Sequence, residues 1–159
     1  MSNKPTSGHR KLARSAARLA AVQALFQIEA TGEDWRAVVR EFDEHRLGAE
    51  IEGAQYREAD PNHFRRTVEE VLGHQVEIDQ LTDNALVERW PLGRIDPTLR
   101  ALFRAAGAEL LYRPDVPPKV VLGEYVDIAH AFFPEAKEPG FVNAVLDHMA
   151  RVARAEAFD

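Results

Sequence analysis

The chain contains no cysteine. That excludes disulfides, thiolate metal sites and a thiol nucleophile, and it fits a reducing cytoplasm. Its only serines are Ser2, Ser7 and Ser15, all in or beside a basic N-terminal stretch, with no rigid elbow and no positioned base to activate one of them. The nine glycines are scattered, so no glycine-rich loop can cradle a phosphate. The six histidines form no HExxH and no close cluster, and His63 and His74, though on one predicted helix, stand too far apart to share a metal ion. Acidic pairs such as Glu69-Glu70 read as solvated helix surface. There is no run of eighteen apolar residues to cross a membrane, and the first eight residues lack the apolar core of a signal peptide. These absences leave no catalytic residue, metal ligand or cofactor to nominate, and a non-enzyme is expected.

Acid is also missing from one end. No Asp or Glu precedes Glu29, while Lys4, Arg10, Lys11, Arg14 and Arg18 do. These five cations leave −11 on the other 131 residues of a chain whose net charge is −6. A basic end on an acidic body can attract phosphate while the body repels it, so contact is steered to one place.

What remains is almost entirely helical in period. Residues 1–8 are polar and read as a disordered tail. A helix is expected over about 9–30, with Leu12, Leu19, Val22 and Phe26 as its buried stripe and Gly32 as its stop. Others are expected over about 34–45, 62–79 (Phe64, Val68, Val71, Leu72 and Val76 inward) and 82–89, the last broken by Trp90-Pro91-Leu92-Gly93. Asp96-Pro97 starts a helix to about 112, because Asp caps and Pro fits the first helical position. Two more are expected over about 119–132 and 139–155. Residues 46–62 read as a loop, and no segment alternates convincingly like a strand. The expectation is all-α: one domain over 9–159, built of two small bundles of about three helices each, with subdomains near 9–92 and 93–159.

Two helices carry candidate binding residues. In the first, Arg10, Arg14 and Arg18 recur every four residues and drift only about 40° per step, so they share one side, with Lys11 beside them. The Leu12–Phe26 stripe is read as facing roughly the opposite way. A planar guanidinium donates in pairs, which suits phosphates and base edges. That side carries no aromatic ring, so stacking is not its main mode. In the last helix, Phe141, Val142, Val145 and Leu146 make an apolar stripe, while Asn143 and Asp147 point the other way. A poor helix former such as Asn either caps locally or presents its amide to a partner.

Several segments together resemble the bacterial NusB transcription antitermination family. They are the helix from Ala13 to Phe26 (ARSAARLAAVQALF), the stretch from Leu110 to Val121 (LLYRPDVPPKVV) and the segment from Phe141 to Asp147 (FVNAVLD). The resemblance runs from about Ala13 to Arg154. It implies an all-helical fold of two bundles and a protein that binds the boxA element of ribosomal RNA leader transcripts. It also implies a partner, the small-subunit ribosomal protein NusE, and a place in the RNA polymerase antitermination complex.

Residue by residue, the resemblance places Arg14 and Arg18 at basic positions expected to meet phosphate. Arg10 and Lys11 lie one turn upstream and compensate for Ser15 and Ala16, which stand where many relatives carry Arg. Phe26 stands where many members have Tyr, so the ring remains and the hydroxyl is lost; by angle it also belongs to the buried stripe. Phe141 and Asn143 are expected at the edge of the RNA surface, and Lys137 favours phosphate in a loop where relatives often carry acid. Asp96 falls near an acidic position associated with the NusE interface and equally serves as the cap before Pro97. Gly123 replaces a common Asn. Two rival readings stay open. The helical domain also resembles the N-terminal part of some ribosomal RNA cytosine methyltransferases, although no cofactor-binding α/β domain is expected after Asp159. Alternatively the chain is a helical interaction adaptor without RNA, conceivably a homodimer.

Overall fold

Helix boundaries in the computed structural model follow the capping chemistry of the sequence. It describes residues 7–45, 50–51, 54–55, 59–86, 93, 95–134 and 138–158. The helices are α1 (Ser7–Thr31), α2 (Trp35–His45), α3 (Pro61–Gly73), α4 (Gln75–Ala85), α5 (Pro97–Tyr112), α6 (Pro118–Phe132) and α7 (Glu138–Ala153), followed by a 3-10 turn, Ala155–Phe158. Gly32 ends α1 with a positive φ of 71°, its N–H donating to the Ile28 carbonyl. Asp34, Asp60 and Asp96 each accept a backbone N–H two residues on, at 2.9, 3.0 and 2.7 Å. Asp60-Pro61 therefore repeats the Asp96-Pro97 start. α6 runs unbroken through Gly123.

The structure differs from the sequence reading at several places in this layout: α1 begins at Ser7, inside the tail read as disordered. The helix expected over 62–79 breaks at His74, after Gly73, so the next helix spans 75–85 rather than 82–89. Val76, just past the break, turns outward and is 74% exposed. Within the segment read as a loop, Glu50–Ile51 and Ala54–Gln55 pair antiparallel in a minimal hairpin (β1 and β2), too short for alternation to register.

The chain divides into two compact units, 1–68 and 69–159. The boundary falls inside α3 rather than near residue 92, because α4 packs on α5 and α7 and so belongs to the second unit. In the first unit Val38, Val39, Phe42, Phe64 and Val68 are buried, and the Phe42 and Phe64 rings stack at 5.5 Å. Arg65 and Asp43 pair across α2 and α3 at 2.9 Å.

In the second unit α5 is buried from Leu99 through Leu110 except for the half-buried Arg100 and Arg104. Its apolar residues run nearly all round, as a central helix requires. α4, α6 and α7 pack around it. Arg104 reaches out to Asp79 on α4 through two hydrogen bonds of 3.0 Å. Gly107 is the closest crossing: a Cβ there would lie 2.8 Å from Ile78 Cγ2 and 3.4 Å from Met149 Cε. We predict that Gly107→Ala lowers unfolding free energy by about 1–2 kcal/mol in urea titration, because overpacking against a stiff β-branched side chain outweighs alanine's better helix propensity.

At the α3–α4 break the His74 ring stacks on Tyr112 at 4.3 Å, and the Tyr112 hydroxyl donates to the Glu77 carboxylate. Burial, then that hydrogen bond and the charges of Glu77 and Glu70, push the Tyr112 hydroxyl up from 10.0 to about 12. Because the folded value is raised, this group's contribution to stability is complete below pH 10 and is lost as pH climbs from 10 towards 12. Tyr112→Phe is expected to remove that part of the alkaline loss in thermal melts across this window.

Candidate nucleic-acid interface

The packing side of α1 determines which of its cations are available. Ala17, Ala21 and Ala24 recur at four and three residues and are fully buried, flanked by Val22 and Leu25. Taking about 100° per residue, Arg10 and Arg14 lie within about 60° of Ala17, and Arg18 lies 100° from it. The arginine row thus runs down the packed side instead of opposite it. The sequence reading followed the large residues; the helix packs by its small ones, which allow close approach. Arg18 is therefore 2% exposed, and the expectation of a free guanidinium there is corrected. Its long stem fills core volume that a shorter side chain would leave empty.

Exposure of the row rises toward the N-terminus. Arg14 is half-buried, and Arg10 and Lys11 are exposed. None of these three has an acidic partner among the described residues. The segment before α3 meets this part of the helix, the Asp60 N–H donating to the Ala13 carbonyl at 3.0 Å. Asp60 Oδ1 accepts from the N–H groups of Asn62 and His63. Along α1 the first acid, Glu29, lies about 22 Å beyond Arg14, far outside the ~8 Å screening length at physiological salt. No acid stands in the first turn of α1 to balance the positive pole of the helix. Cations and dipole therefore add at one end, an arrangement that favours an anion.

The residues expected to form the buried stripe occupy the outer side instead. Leu12 is 42% exposed and Phe26 is 40% exposed, with Leu19 half-buried between them. Val22 alone of that group is in the core. Gln23 is exposed beside them. The seven-residue spacing of Leu12, Leu19 and Phe26 was visible in the sequence, but its meaning reversed once the alanines took the core.

The second unit holds the other candidates. Asp96 is exposed and caps α5, one carboxylate oxygen accepting from the Thr98 N–H at 2.7 Å. Phe141 is half-buried, its ring edge-on to Phe103 at 6.2 Å, so it contributes to packing. Val142, Val145 and Leu146 are buried as the spacing requires. Asn143 is exposed. Asp147, its neighbour one turn on, is tied to Arg151 at 2.9 Å, and Arg151 in turn lies over the Phe158 ring at 4.7 Å. Lys137 lies outside the described residues. Among the described residues no group of three or more His, Asp or Glu side chains could hold a metal ion. Among the described residues no helix is long and apolar enough to cross a membrane.

The described residues make a small, almost wholly helical protein with a cationic end on its first helix. Its family is given by comparison. The NusB family model matches residues 15–151. The chain is similar to the transcription antitermination protein NusB of Agrobacterium fabrum, 52% identical over 144 residues, 91% of this chain and 87% of the relative. It is 51% identical to the protein of that name from Brucella abortus, over 91% of this chain and 84% of the relative. A solved structure of T. maritima NusB superimposes with a TM-score of 0.73 at 31% identity, over 91% of this chain and 96% of the other. The fold is also that of a structure of NusB and NusE with double-stranded RNA, TM-score 0.69 at 23% identity, over 92% of this chain and 99% of the other. The chain belongs to the NusB family.

The difference between buried and exposed arginines is measurable. Arg18→Ala should lower unfolding free energy by about 2 kcal/mol or more, through lost packing. Arg10→Ala and Lys11→Ala should each change it by less than about 0.5 kcal/mol. Chemical denaturation of the three variants separates the two classes.

Proposed function

We propose that this protein is a non-enzymatic, RNA-binding transcription antitermination factor of the cytoplasm. In this reading it binds boxA-type ribosomal RNA leader sequence together with the ribosomal protein NusE and joins an RNA polymerase antitermination complex. The observation that carries the proposal is the cationic start of α1, where Arg10, Lys11 and Arg14 combine with the helix dipole. These groups meet phosphates, which position the RNA without reading it. Sequence choice comes from exposed edges such as the Asn143 amide and from the partner, because single-stranded RNA offers its bases to side chains. Asp96 serves the NusE side while capping α5. Lys137 adds a phosphate contact and Phe26 a ring surface. Arg18 acts indirectly, by fixing the packing of α1. The named curated relatives are antitermination proteins matched over most of their own length, which favours this reading over the methyltransferase-like one.

Fluorescence anisotropy with a boxA-type RNA, with and without NusE, tests it. NusE should tighten binding. Removing Arg10, Lys11 or Arg14 should each weaken binding and flatten log K against log salt by about 0.7. A salt slope unchanged in all three variants would remove α1 from the binding surface.

A further inference from the structure

Asn62 stands in the first turn of α3 without capping it. An Asn at such a place usually bonds the local backbone, because its short amide competes with the helix. Here Asp60 does that work, its Oδ1 accepting from the N–H groups of Asn62 and His63. The Asn62 side chain is exposed, and its amide meets no partner among the described residues. Its outward direction is fixed from beneath: His63, Phe64, Thr67 and Val68 are the buried residues of these turns, and the Phe64 ring stacks on Phe42.

The start of α3 is also a neighbour of the cationic helix end, within the same compact unit. The Asp60 N–H donates to the Ala13 carbonyl at 3.0 Å, and Asn62 lies two residues on, at most about 8 Å of chain. Along the axis of α1, Arg10 stands about 4.5 Å before Ala13 and Arg14 about 1.5 Å after it. A strand held by these cations finds no further exposed cation along α1, because Arg18 is buried and the next charge is Glu29. The adjoining surface it can cross is the start of α3. The Asp60 charge is held against the positive pole of α3, which offsets it, so that pole is closed as an anion site and the crossing is left to neutral polar groups.

We propose that Asn62 reads a base: single-stranded RNA held by Arg10, Lys11 and Arg14 crosses the start of α3, where the Asn62 amide meets a base edge. A carboxamide carries a donor and an acceptor side by side, the pattern that an adenine edge completes with two hydrogen bonds. Unstacked bases of single-stranded RNA expose such edges. This inference rests on the RNA-binding reading and adds to it a group without charge, which contributes choice of sequence and no salt dependence.

Fluorescence anisotropy of the full chain with a boxA-type RNA tests it, using a series in which each adenine in turn is made abasic. Asn62→Ala is expected to weaken binding of the intact RNA about tenfold, with an unchanged slope of log K against log salt. At one adenine the abasic change should cost the unsubstituted chain about as much and the Asn62→Ala variant almost nothing more, because both changes remove one contact. Circular dichroism checks that the variant stays helical, and alanine suits an exposed helical position. Equal affinity of the variant and the unsubstituted chain overturns the proposal. So does a flattened salt slope, or abasic losses that are the same in both chains at every adenine. If Arg10→Ala still weakens binding in those cases, the RNA-binding reading stands and Asn62 alone is lost. An unsubstituted chain that does not bind the RNA overturns both.

Discussion

The packing of α1 through Ala17, Ala21 and Ala24 is the constraint from which the candidate surface follows. Small side chains set which side of the helix turns inward, and that choice fixes everything else on it. Arg18 falls inside the packed region and is buried with it. Arg10 lies on nearly the same side but two turns earlier, beyond the first buried residue, Ala17, and so stays in water. Leu12, Leu19 and Phe26 are turned outward by the same rotation. A shift of one residue in the packed set, about 100°, would exchange these roles. The cationic end and the outward Leu12, Leu19 and Phe26 are thus two results of one packing decision.

The second unit depends on a comparable constraint at α5. A helix buried nearly all round has no water to satisfy its last carbonyls, and leaving them unpaired would cost about 1–3 kcal/mol each. Arg154, itself buried, meets this need. Its guanidinium donates to the carbonyls of Glu109, Leu110, Arg113 and Val116, closing the end of α5 and the turn toward α6. The fork geometry of Arg suits several fixed acceptors in a way that an ammonium does not. Glu109, fully buried one turn earlier, accepts from the Tyr125 hydroxyl on α6. Arg113 pairs with Glu70 at 3.5 Å, attaching the same turn to the end of α3. The turn from Glu109 to Val116 is therefore where buried polar groups of this unit converge.

Helix identity was legible in the sequence wherever capping chemistry marked an end. Gly32, Asp96-Pro97 and the Phe133-Pro134 stop all act as their residue types require. Large apolar residues on α7 gave the correct packed side: Val142, Val145 and Leu146 are buried, and Met149 and Ala150 extend the same side. On α1 the same logic failed. Alanine contributes little to a hydrophobic stripe when read by size, yet it allows the closest helix approach, so the alanines prevailed over Leu12 and Phe26. The break at His74 was hidden because Gly73 interrupts an otherwise continuous apolar period, and a single glycine costs a helix only about 1 kcal/mol. The β1–β2 hairpin was too short for a period to exist. Among the binding candidates, the exposed positions of Arg10, Lys11 and Asn143 agree with their reading as surface groups, whereas Arg18 required knowledge of the packed side.

The position of the cations also bears on how the first helix behaves. From Gly8 to Leu12 the side chains described are exposed, and the first fully buried one is Ala17. The opening turns are held by their own backbone hydrogen bonds, with one tether from Asp60 to the Ala13 carbonyl. Arg10, Lys11 and Arg14 sit at the positive pole of the dipole, where each cation costs a few tenths of a kcal/mol. Short, weakly packed, self-repelling turns belong to the least stable part of a fold. A phosphate placed there reverses the sign of the electrostatic term and supplies acceptors for N–H groups that lack them. Anion binding and ordering of these turns are therefore linked, and each must favour the other by the same free energy. The linkage also limits affinity, since part of the binding free energy is spent on ordering. Added like charge at this end would destabilise the helix that presents it.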